Sequence, residues 1–141
     1  MKRVLSALGL VLALTVFMPR ASQAQTSPAK KPNITLGQNF PNPFNPETTI
    51  PFGVEVTCPE GSRQYRVTLK IFNMLSQLVK IPLLKGSGTP LNNVLLPCGQ
   101  YQAFWDGKVL DTGREAASGV YYYRLEVDGA SVLSKKMISI K

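Results

Sequence analysis

The stretch Tyr65-Arg-Val-Thr-Leu-Lys-Ile-Phe72 alternates apolar and polar side chains with a period of two. Successive side chains of a β-strand point to opposite faces, so Val67, Leu69 and Ile71 should share one face. The polar residues between them should then face the solvent, which is typical of a strand in an antiparallel sheet. We therefore predict a half-buried β-strand over these eight residues.

The same period of two extends over most of the chain, and no amphipathic helix is predicted beyond the first 24 residues. Turn sequences such as Asp106-Gly107 and Asp128-Gly129 separate the alternating segments. About seven short strands at this spacing predict an all-β, immunoglobulin-like β-sandwich, with an open barrel as the alternative. The other predicted strands are Thr49–Val56, Gln77–Leu84, Asn93–Leu96, Gln100–Trp105, Tyr121–Val127 and Ala130–Ile140.

A segment rich in proline and asparagine precedes these strands, and we call residues Leu36–Pro46 the ribbon. Proline lacks a backbone donor and fixes φ, so the ribbon is predicted to be neither a helix nor a central strand. We expect it to have no ladder hydrogen bonds and to be held by burial of Phe40 and Phe44 against the sandwich. Its central motif is Phe40-Pro41-Asn42-Pro43-Phe44-Asn45-Pro46.

The N-terminus has the pattern of a cleavable export signal. Lys2 and Arg3 form a basic start, residues 4–17 are apolar, and Ser22-Gln23-Ala24 supplies the small residues required for cleavage. Fourteen helical residues reach about 21 Å, against about 30 Å for a bilayer core, so no transmembrane anchor is predicted. The predicted divisions are a signal peptide at 1–24, a flexible linker at 25–35 and the sandwich at 36–141.

Export predicts a secreted or otherwise extracytoplasmic protein. In such a compartment the two cysteines, Cys58 and Cys98, predict one disulfide, with a free buried pair as the alternative. Without the signal the net charge is +5, because the signal holds three of the 16 cations and none of the 8 carboxylates. This small, dispersed excess predicts no nucleic-acid partner; an anionic envelope surface fits it better, and a basic surface without a partner is the alternative.

The chain contains no histidine, which excludes a Ser/His/Asp or Cys/His triad and an imidazole metal ligand. No Gly-rich phosphate loop lies between a strand and a helix, so we predict no enzyme, no catalytic residue, no metal and no cofactor. Asp106 and Asp111 are predicted to serve turns, with a calcium site as the alternative. Trp105 is predicted to be a core residue whose indole N–H donates to a loop carbonyl, with sugar stacking as the alternative.

The tyrosine run near residue 122 divides between the two faces of its strand. Tyr121 and Tyr123 are predicted to face the core, whereas Tyr122 faces outward beside Arg124. A single outward tyrosine is ordinary protein surface. It would indicate binding only if other aromatic side chains joined it.

The last seven residues, Lys135-Lys-Met-Ile-Ser-Ile-Lys141, combine three lysines with apolar side chains. Lysines on a terminal strand usually prevent edge-to-edge aggregation, and this purely structural role would tolerate loss of the last few residues. In the alternative, an export machine recognises the strand by edge pairing and charge. The residues that would then interact are Lys135, Lys136, Met137, Ile138, Ile140 and Lys141.

Several motifs of the chain resemble one family pattern, in order, from Leu36 to the terminus. The chain is similar to the immunoglobulin-like domain of the flagellar hook-capping protein family, and equally to the C-terminal sorting domain of type IX (Por) secretion substrates. The motifs are Gln38-Asn-Phe-Pro-Asn-Pro-Phe-Asn-Pro46, Val67-x-Leu69-x-Ile71-Phe72-Asn73, Trp105-Asp106-Gly107 and Ala117-Ser118-Gly119-Val120-Tyr121.

The resemblance implies a seven-stranded sandwich that is not an enzyme and that acts in export, surface attachment or protein–protein association. Its partner would be a protein, such as the type IX secretion machinery or a surface assembly. In the sorting family the domain directs passage across the outer membrane, and the family's terminal strand corresponds to residues 135–141. A small extracellular domain that binds glycan or calcium through the Trp105–Gly113 loops is the alternative function.

The chain departs from the family pattern at three points. Ser76 stands where the family commonly has glycine before Gln77, and the two cysteines are not part of the usual pattern. The family domain follows a larger passenger, whereas about ten residues separate the predicted signal from the domain here. A standalone adhesion or scaffold module, or a fragment of a longer ancestral gene, is therefore an alternative.

Overall fold

The computed structural model describes residues 30–55, 57–58, 63–110 and 112–141 of the chain. The predicted signal peptide, residues 25–29 of the predicted linker and Asp111 lie outside these described residues. Within the described residues, no helix is long and apolar enough to cross a membrane. The strands are β1 Ile34–Leu36, β2 Thr48–Val54, β3 Tyr65–Phe72, β4 Leu78–Lys80, β5 Leu83–Leu84, β6 Val94–Leu96, β7 Gly99–Trp105, β8 Gly119–Val127 and β9 Ser131–Ser139.

These strands form two antiparallel sheets that enclose one core. The first sheet has the order β1-β2-β7-β5, and the second has the order β4-β3-β8-β9, with β6 also pairing with β3. The predicted all-β sandwich is confirmed. The open-barrel alternative is wrong, because in the described part of the chain the strands divide into two separate sheets.

The core consists of the inward side chains of both sheets, as the period of two predicts. Val67, Leu69 and Ile71 of β3 are fully buried, and Arg66 before them is exposed. Of the two polar residues between them, Lys70 is half-buried and Thr68 is buried. The expectation that both face the solvent is therefore wrong for Thr68, whose Oγ1 accepts a hydrogen bond from the amide of Asn93. Full burial of an aliphatic side chain such as Leu69 contributes about 1.5–3 kcal/mol to folding. The central strands of the two sheets contribute Ile50, Phe52, Val54, Ala103, Tyr123, Leu125 and Val127.

The predicted strand Gln77–Leu84 is wrong as a single element. Its first part, β4, pairs with β3 in the second sheet, whereas β5 pairs with β7 in the first. Pro82 lies between them and is buried. Because proline cannot donate a ladder hydrogen bond, the chain leaves one sheet here and joins the other.

The predicted linker ends two residues too late. Ile34 and Thr35 pair with Val54 and Gly53 at the edge of the first sheet. Apolar side chains at Ile34 and Leu36 alternate around Thr35, so this segment already has the period of a strand. The chain therefore joins the sandwich at residue 34.

The turn between β3 and β4 contains a non-glycine residue with positive φ. Ser76 has a φ of 58°, in the left-handed region that glycine enters most easily. The Asn73 side chain supports the turn, since its Oδ1 accepts hydrogen bonds at 3.0 Å from the amides of Leu75 and Gln77. The departure from glycine at Ser76 therefore leaves the left-handed turn in place.

Cys58 and Cys98 form the predicted disulfide, with 5.6 Å between their Cα atoms. The bond joins the segment after β2 to the residue that precedes β7. These two strands are neighbours in the first sheet, so the disulfide fixes one end of their pairing. The alternative of a free cysteine pair is wrong.

Candidate interaction surface at the terminal strand

The terminal strand β9 is fully integrated into the sandwich. It pairs with β8 along its whole length, from Gly119 opposite Ser139 to Val127 opposite Ser131. Met137 and Ser139 point inward and are buried, whereas Lys136 and Ile138 point outward and are exposed. Only outward side chains can meet a partner while the domain stays folded.

The ribbon covers the outer edge of β9. The amide of Phe44 donates to the carbonyl of Ile138 at 2.9 Å, and the amide of Ile140 donates to the carbonyl of Phe44 at 3.0 Å. These bonds form an isolated parallel bridge between Phe44 and Ser139. The ribbon thus has bridge hydrogen bonds, and the expectation that it would have none is wrong.

Two side chains of the ribbon occupy further backbone groups of the same edge. Asn42 accepts from the amide of Ile138 through its Oδ1 at 3.0 Å, and Gln38 donates from its Nε2 to the carbonyl of Lys136 at 3.0 Å. An incoming strand needs free backbone groups in order to pair. From Lys136 to Ile140 this edge is occupied, so a partner that leaves the ribbon in place must bind side chains.

Phe44 anchors the ribbon in the core. Its side chain is 1% exposed. The centre of its ring lies 5.2 Å from the centre of the Trp105 ring, with an angle of 53° between the ring planes. Trp105 in turn meets Tyr121 edge-on at 5.6 Å. Tilted pairs at these distances are favourable beyond the apolar area that they bury. The prediction that Phe44 is buried is confirmed.

Phe40, in contrast, is 49% exposed, so the prediction that it is buried is wrong. Its backbone makes the contact: Phe40 and Thr49 exchange two hydrogen bonds of 2.9 Å. The residue beside it is buried instead, since Asn39 is only 2% exposed. A polar anchor therefore occupies the position where an apolar one was expected.

Asn39 and Tyr123 connect the ribbon to the second sheet by hydrogen bonds. The Tyr123 hydroxyl donates to the carbonyl of Gly37 at 2.7 Å and accepts from the amide of Asn39 at 3.1 Å. The Asn39 Nδ2 donates to the carbonyl of Pro41 and to Oγ1 of Thr48. Sequence reasoning missed these anchors, although Asn39 lies inside the quoted family motif.

The Trp105-Asp106-Gly107 motif is structural. The Trp105 indole N–H donates to the carbonyl of Lys108 at 2.9 Å, as predicted, and the side chain is 1% exposed. Because the ring is buried against Phe44, stacking of a sugar on Trp105 is excluded in the folded state. Asp106 Oδ1 accepts from the amide of Lys108, which confirms its role in the turn. Asp111, the other candidate calcium ligand, lies outside the described residues.

Gly107 explains why this motif accompanies the ribbon. Its φ is 76°, and a Cβ atom there would collide with the carbonyl oxygen of Pro46. Only glycine allows the turn and the end of the ribbon to approach so closely. The two motifs, about 60 residues apart in the sequence, are thus in direct contact.

The Ser118–Tyr121 motif holds the C-terminus. Ser118 Oγ accepts from the amide of Lys141 at 3.0 Å, and the Tyr121 hydroxyl donates to the carbonyl of Ala117 at 2.8 Å. Gly119 and Val120 begin β8, where they lie opposite Ser139 and Ile138 of the terminal strand. Lys135, Lys136, Ile138, Ile140 and Lys141 are exposed around this region.

The phenol of Tyr123 makes stability depend on pH in the alkaline range. Burial raises the pKa of Tyr123, and the hydrogen bond from the Asn39 amide lowers it by less. A raised pKa in the folded state means that the stabilisation is complete below the unfolded value, about 10, and is lost as pH rises through the folded value. Burial raises the pKa of Tyr101 and Tyr121 in the same direction.

We therefore expect Tyr123→Phe to lower the free energy of unfolding by about 1–3 kcal/mol at pH 7, because it leaves a buried amide and carbonyl without their partner. As the pH rises above about 10, the variant should lose less stability than the wild type. Urea unfolding of the variant and the wild type, at pH 7 and at a pH above about 10, measures both differences in the free energy of unfolding. Tyr122→Phe, on the exposed face of the same strand, is the control. It should change neither the free energy of unfolding at pH 7 nor the loss of stability at alkaline pH.

Comparisons with known proteins give one informative match. The fold is similar to part of dimeric latent PorU from Porphyromonas gingivalis, with a TM-score of 0.51 and 18% identity. The match covers 77% of this chain but only 9% of the PorU chain. A likeness at this identity concerns the fold alone. A scan of protein families finds no match to the sequence, and a search of curated proteins finds none either.

Proposed function

We propose that this chain is a non-enzymatic, secreted immunoglobulin-like module of the type IX sorting type, acting through association with a protein partner. The observation that carries the proposal is the folded terminal strand, which presents Lys136, Ile138, Ile140 and Lys141 to the solvent. Met137 is buried in the core, so its role is to hold the strand in place. The recognised feature is then a side-chain surface on a finished domain.

Two likenesses support this proposal. The sequence motifs resemble the sorting domains of type IX (Por) secretion substrates, and the fold matches part of PorU. The disulfide between Cys58 and Cys98 is consistent with an oxidising, extracytoplasmic compartment. The absence of histidine from the whole sequence supports a role in association over catalysis.

The test is surface display of a reporter fused in front of this domain. Truncation would be a poor comparison, because removal of residues 138–141 also removes the hydrogen-bond partners of Phe44 and Asn42. These bonds argue against the expectation that a structural strand tolerates this loss. Charge reversal of exposed side chains leaves those backbone bonds in place.

We expect Lys136→Glu combined with Lys141→Glu to reduce surface display at least about tenfold in a host with a type IX translocon, since like charges across an interface cost several kcal/mol. The reporter follows a signal peptide and precedes residues 25–141. Flow cytometry with an antibody against the reporter measures display. The control is Lys80→Glu combined with Lys85→Glu, which changes the net charge equally but lies away from β9.

Retention of the folded wild-type fusion in the periplasm would contradict sorting and favour the standalone module. Equal display of the two charge-reversed variants would contradict recognition of the terminal strand. Protease resistance and melting temperature, measured on each variant, separate a recognition defect from a folding defect.

A further inference from the structure

The outer face of the second sheet carries an aromatic and cationic cluster. Antiparallel pairing places Phe72 opposite Tyr122, and Tyr122 opposite Lys136, in one row across three strands. The next row places Lys70 opposite Arg124. Side chains directly opposite one another in a sheet are close neighbours. Tyr122 therefore has the aromatic company that would make an outward tyrosine an indication of binding.

Three of these side chains, Phe72, Tyr122 and Arg124, line an open surface pocket of about 310 Å³, which we call the outer pocket. The Arg124 guanidinium lies 5.4 Å from the centre of the Phe72 ring, a cation–π distance. Arg124 is thus positioned by the ring, and the residue as a whole is exposed, so its planar fork of N–H groups is available to a partner. The outer pocket is lined by Phe72, Asn73, Ser76, Tyr122, Arg124 and Ser134.

The cations around the outer pocket form no ion pair within the described residues. In the described part of the chain, the ion pairs join Arg63 to Asp128 and Lys141 to Glu115. Lys70, Arg124 and Lys136 take part in neither. Glu126 is the carboxylate on this face of β8, and it lies one row further on, opposite Thr68 and Val132. The pocket therefore lies in a field that attracts carboxylates.

Two exposed apolar side chains lie in the turn that supplies Asn73 and Ser76 to the outer pocket. Met74 and Leu75 occupy the turn after β3 and are 61% and 77% exposed. The Asn73 side chain bonds fix this turn, so the two side chains project from a well-defined backbone. Aromatic, methionine and arginine side chains are the types enriched in protein interfaces. The ligand that fits is thus both acidic and apolar.

A second copy of this chain does not fit the outer pocket. A two-fold symmetric contact would place the same patch on both sides of the interface. The three cations would then face their own equivalents, and like charges across an interface cost several kcal/mol. The charge requires a partner of the opposite sign.

We propose that the outer pocket binds an acidic, extended segment of a partner protein. Carboxylates of the segment pair with Arg124 and Lys70, and an aromatic or branched side chain lies between Phe72 and Tyr122. Met74 and Leu75 contact the apolar residue that follows. Of the cations around the outer pocket, only Lys136 is also tested for sorting, and the binding does not depend on export.

The test starts from a displayed library of random octapeptides selected on the purified, disulfide-bonded protein, with counter-selection on the bare support only. We expect enriched peptides to carry Asp or Glu next to Phe, Tyr, Leu or Ile. Their Kd, measured by calorimetry, should rise at least about tenfold in Arg124→Glu and in Tyr122→Ala. Raising the salt concentration should weaken binding further.

Arg66→Glu is the matched control. It changes the net charge by the same amount on the same face of β3, but lies six residues from Phe72, or about 20 Å along the strand. The Kd of the enriched peptides for Arg66→Glu should stay within about threefold of their Kd for the wild type. In the wild-type protein, amide NMR shifts on peptide addition should centre on Phe72 and Tyr122, a readout that needs no variant.

Three results would each overturn the proposal. The selection could recover no acid-rich peptide, the peptides could bind Arg124→Glu as tightly as the wild type, or Arg66→Glu could weaken binding equally. The last result would show a general charge effect. Vesicles containing phosphatidylglycerol are tested in parallel, and binding to them alone, with dependence on Arg124, would assign the face to a membrane surface instead.

Discussion

Phe44→Ala is expected to lower the free energy of unfolding by about 3–5 kcal/mol, the range for truncation of a buried phenylalanine. The ring is almost fully buried against Trp105, and its loss would leave a cavity beneath the ribbon. Because the ring anchors the ribbon in the core, the ribbon should also become sensitive to protease, although alanine retains the backbone bonds to β9. Urea unfolding and limited proteolysis measure the two effects.

Phe40→Ala provides a matched control within the same ribbon. Half of its side chain is exposed, and its contact with Thr49 uses backbone atoms that alanine retains. Its cost should stay below about 1 kcal/mol, as for most surface substitutions. Equal losses for the two variants would contradict the assignment of Phe44 as the anchor.

Removal of the disulfide is the second large effect. Cys58→Ser combined with Cys98→Ser should lower the free energy of unfolding by about 3–4 kcal/mol, because the unfolded chain regains the entropy that the cross-link removed. The bridged residues are 40 apart in the sequence, which sets that range. The fold should survive, since the apolar core does not depend on the bond.

Thermal unfolding of the double variant, and of the wild type with and without a reducing agent, measures this effect. The reduced wild type should melt at the same temperature as the double variant. If the free energies of unfolding of the double variant and the oxidised wild type differ by less than about 1 kcal/mol, the two segments are held together without the bond.

The period of two located most of the fold before the structure, because alternation directly reports which side chains face the core. It failed where backbone chemistry decides the path. Around Pro82 the apolar pattern continues, but the missing donor moves the chain to the other sheet. Which sheet a segment joins depends on the strands that it pairs with in space. Alternation along one strand carries no information about those partners.

The candidate site was predictable in part, for a related reason. The sequence placed Lys136 and Ile138 on the terminal strand, and the outward position of Tyr122 followed from the pattern. The burial of Asn39 did not follow, because a polar residue becomes an anchor only when its hydrogen-bond partners are in place. Those partners, Tyr123 and Thr48, come from distant or separate elements.

The covered edge of β9 also determines when the molecule can finish folding. The contacts of Gln38 with Lys136 and of Asn42 with Ile138 close loops of 98 and 96 residues. Pairings of such long range form slowly and depend on both ends of the chain being present. We expect Phe44 to stay unburied while the last residues are held in a ribosome or a translocation pore, so that release of the C-terminus completes the domain.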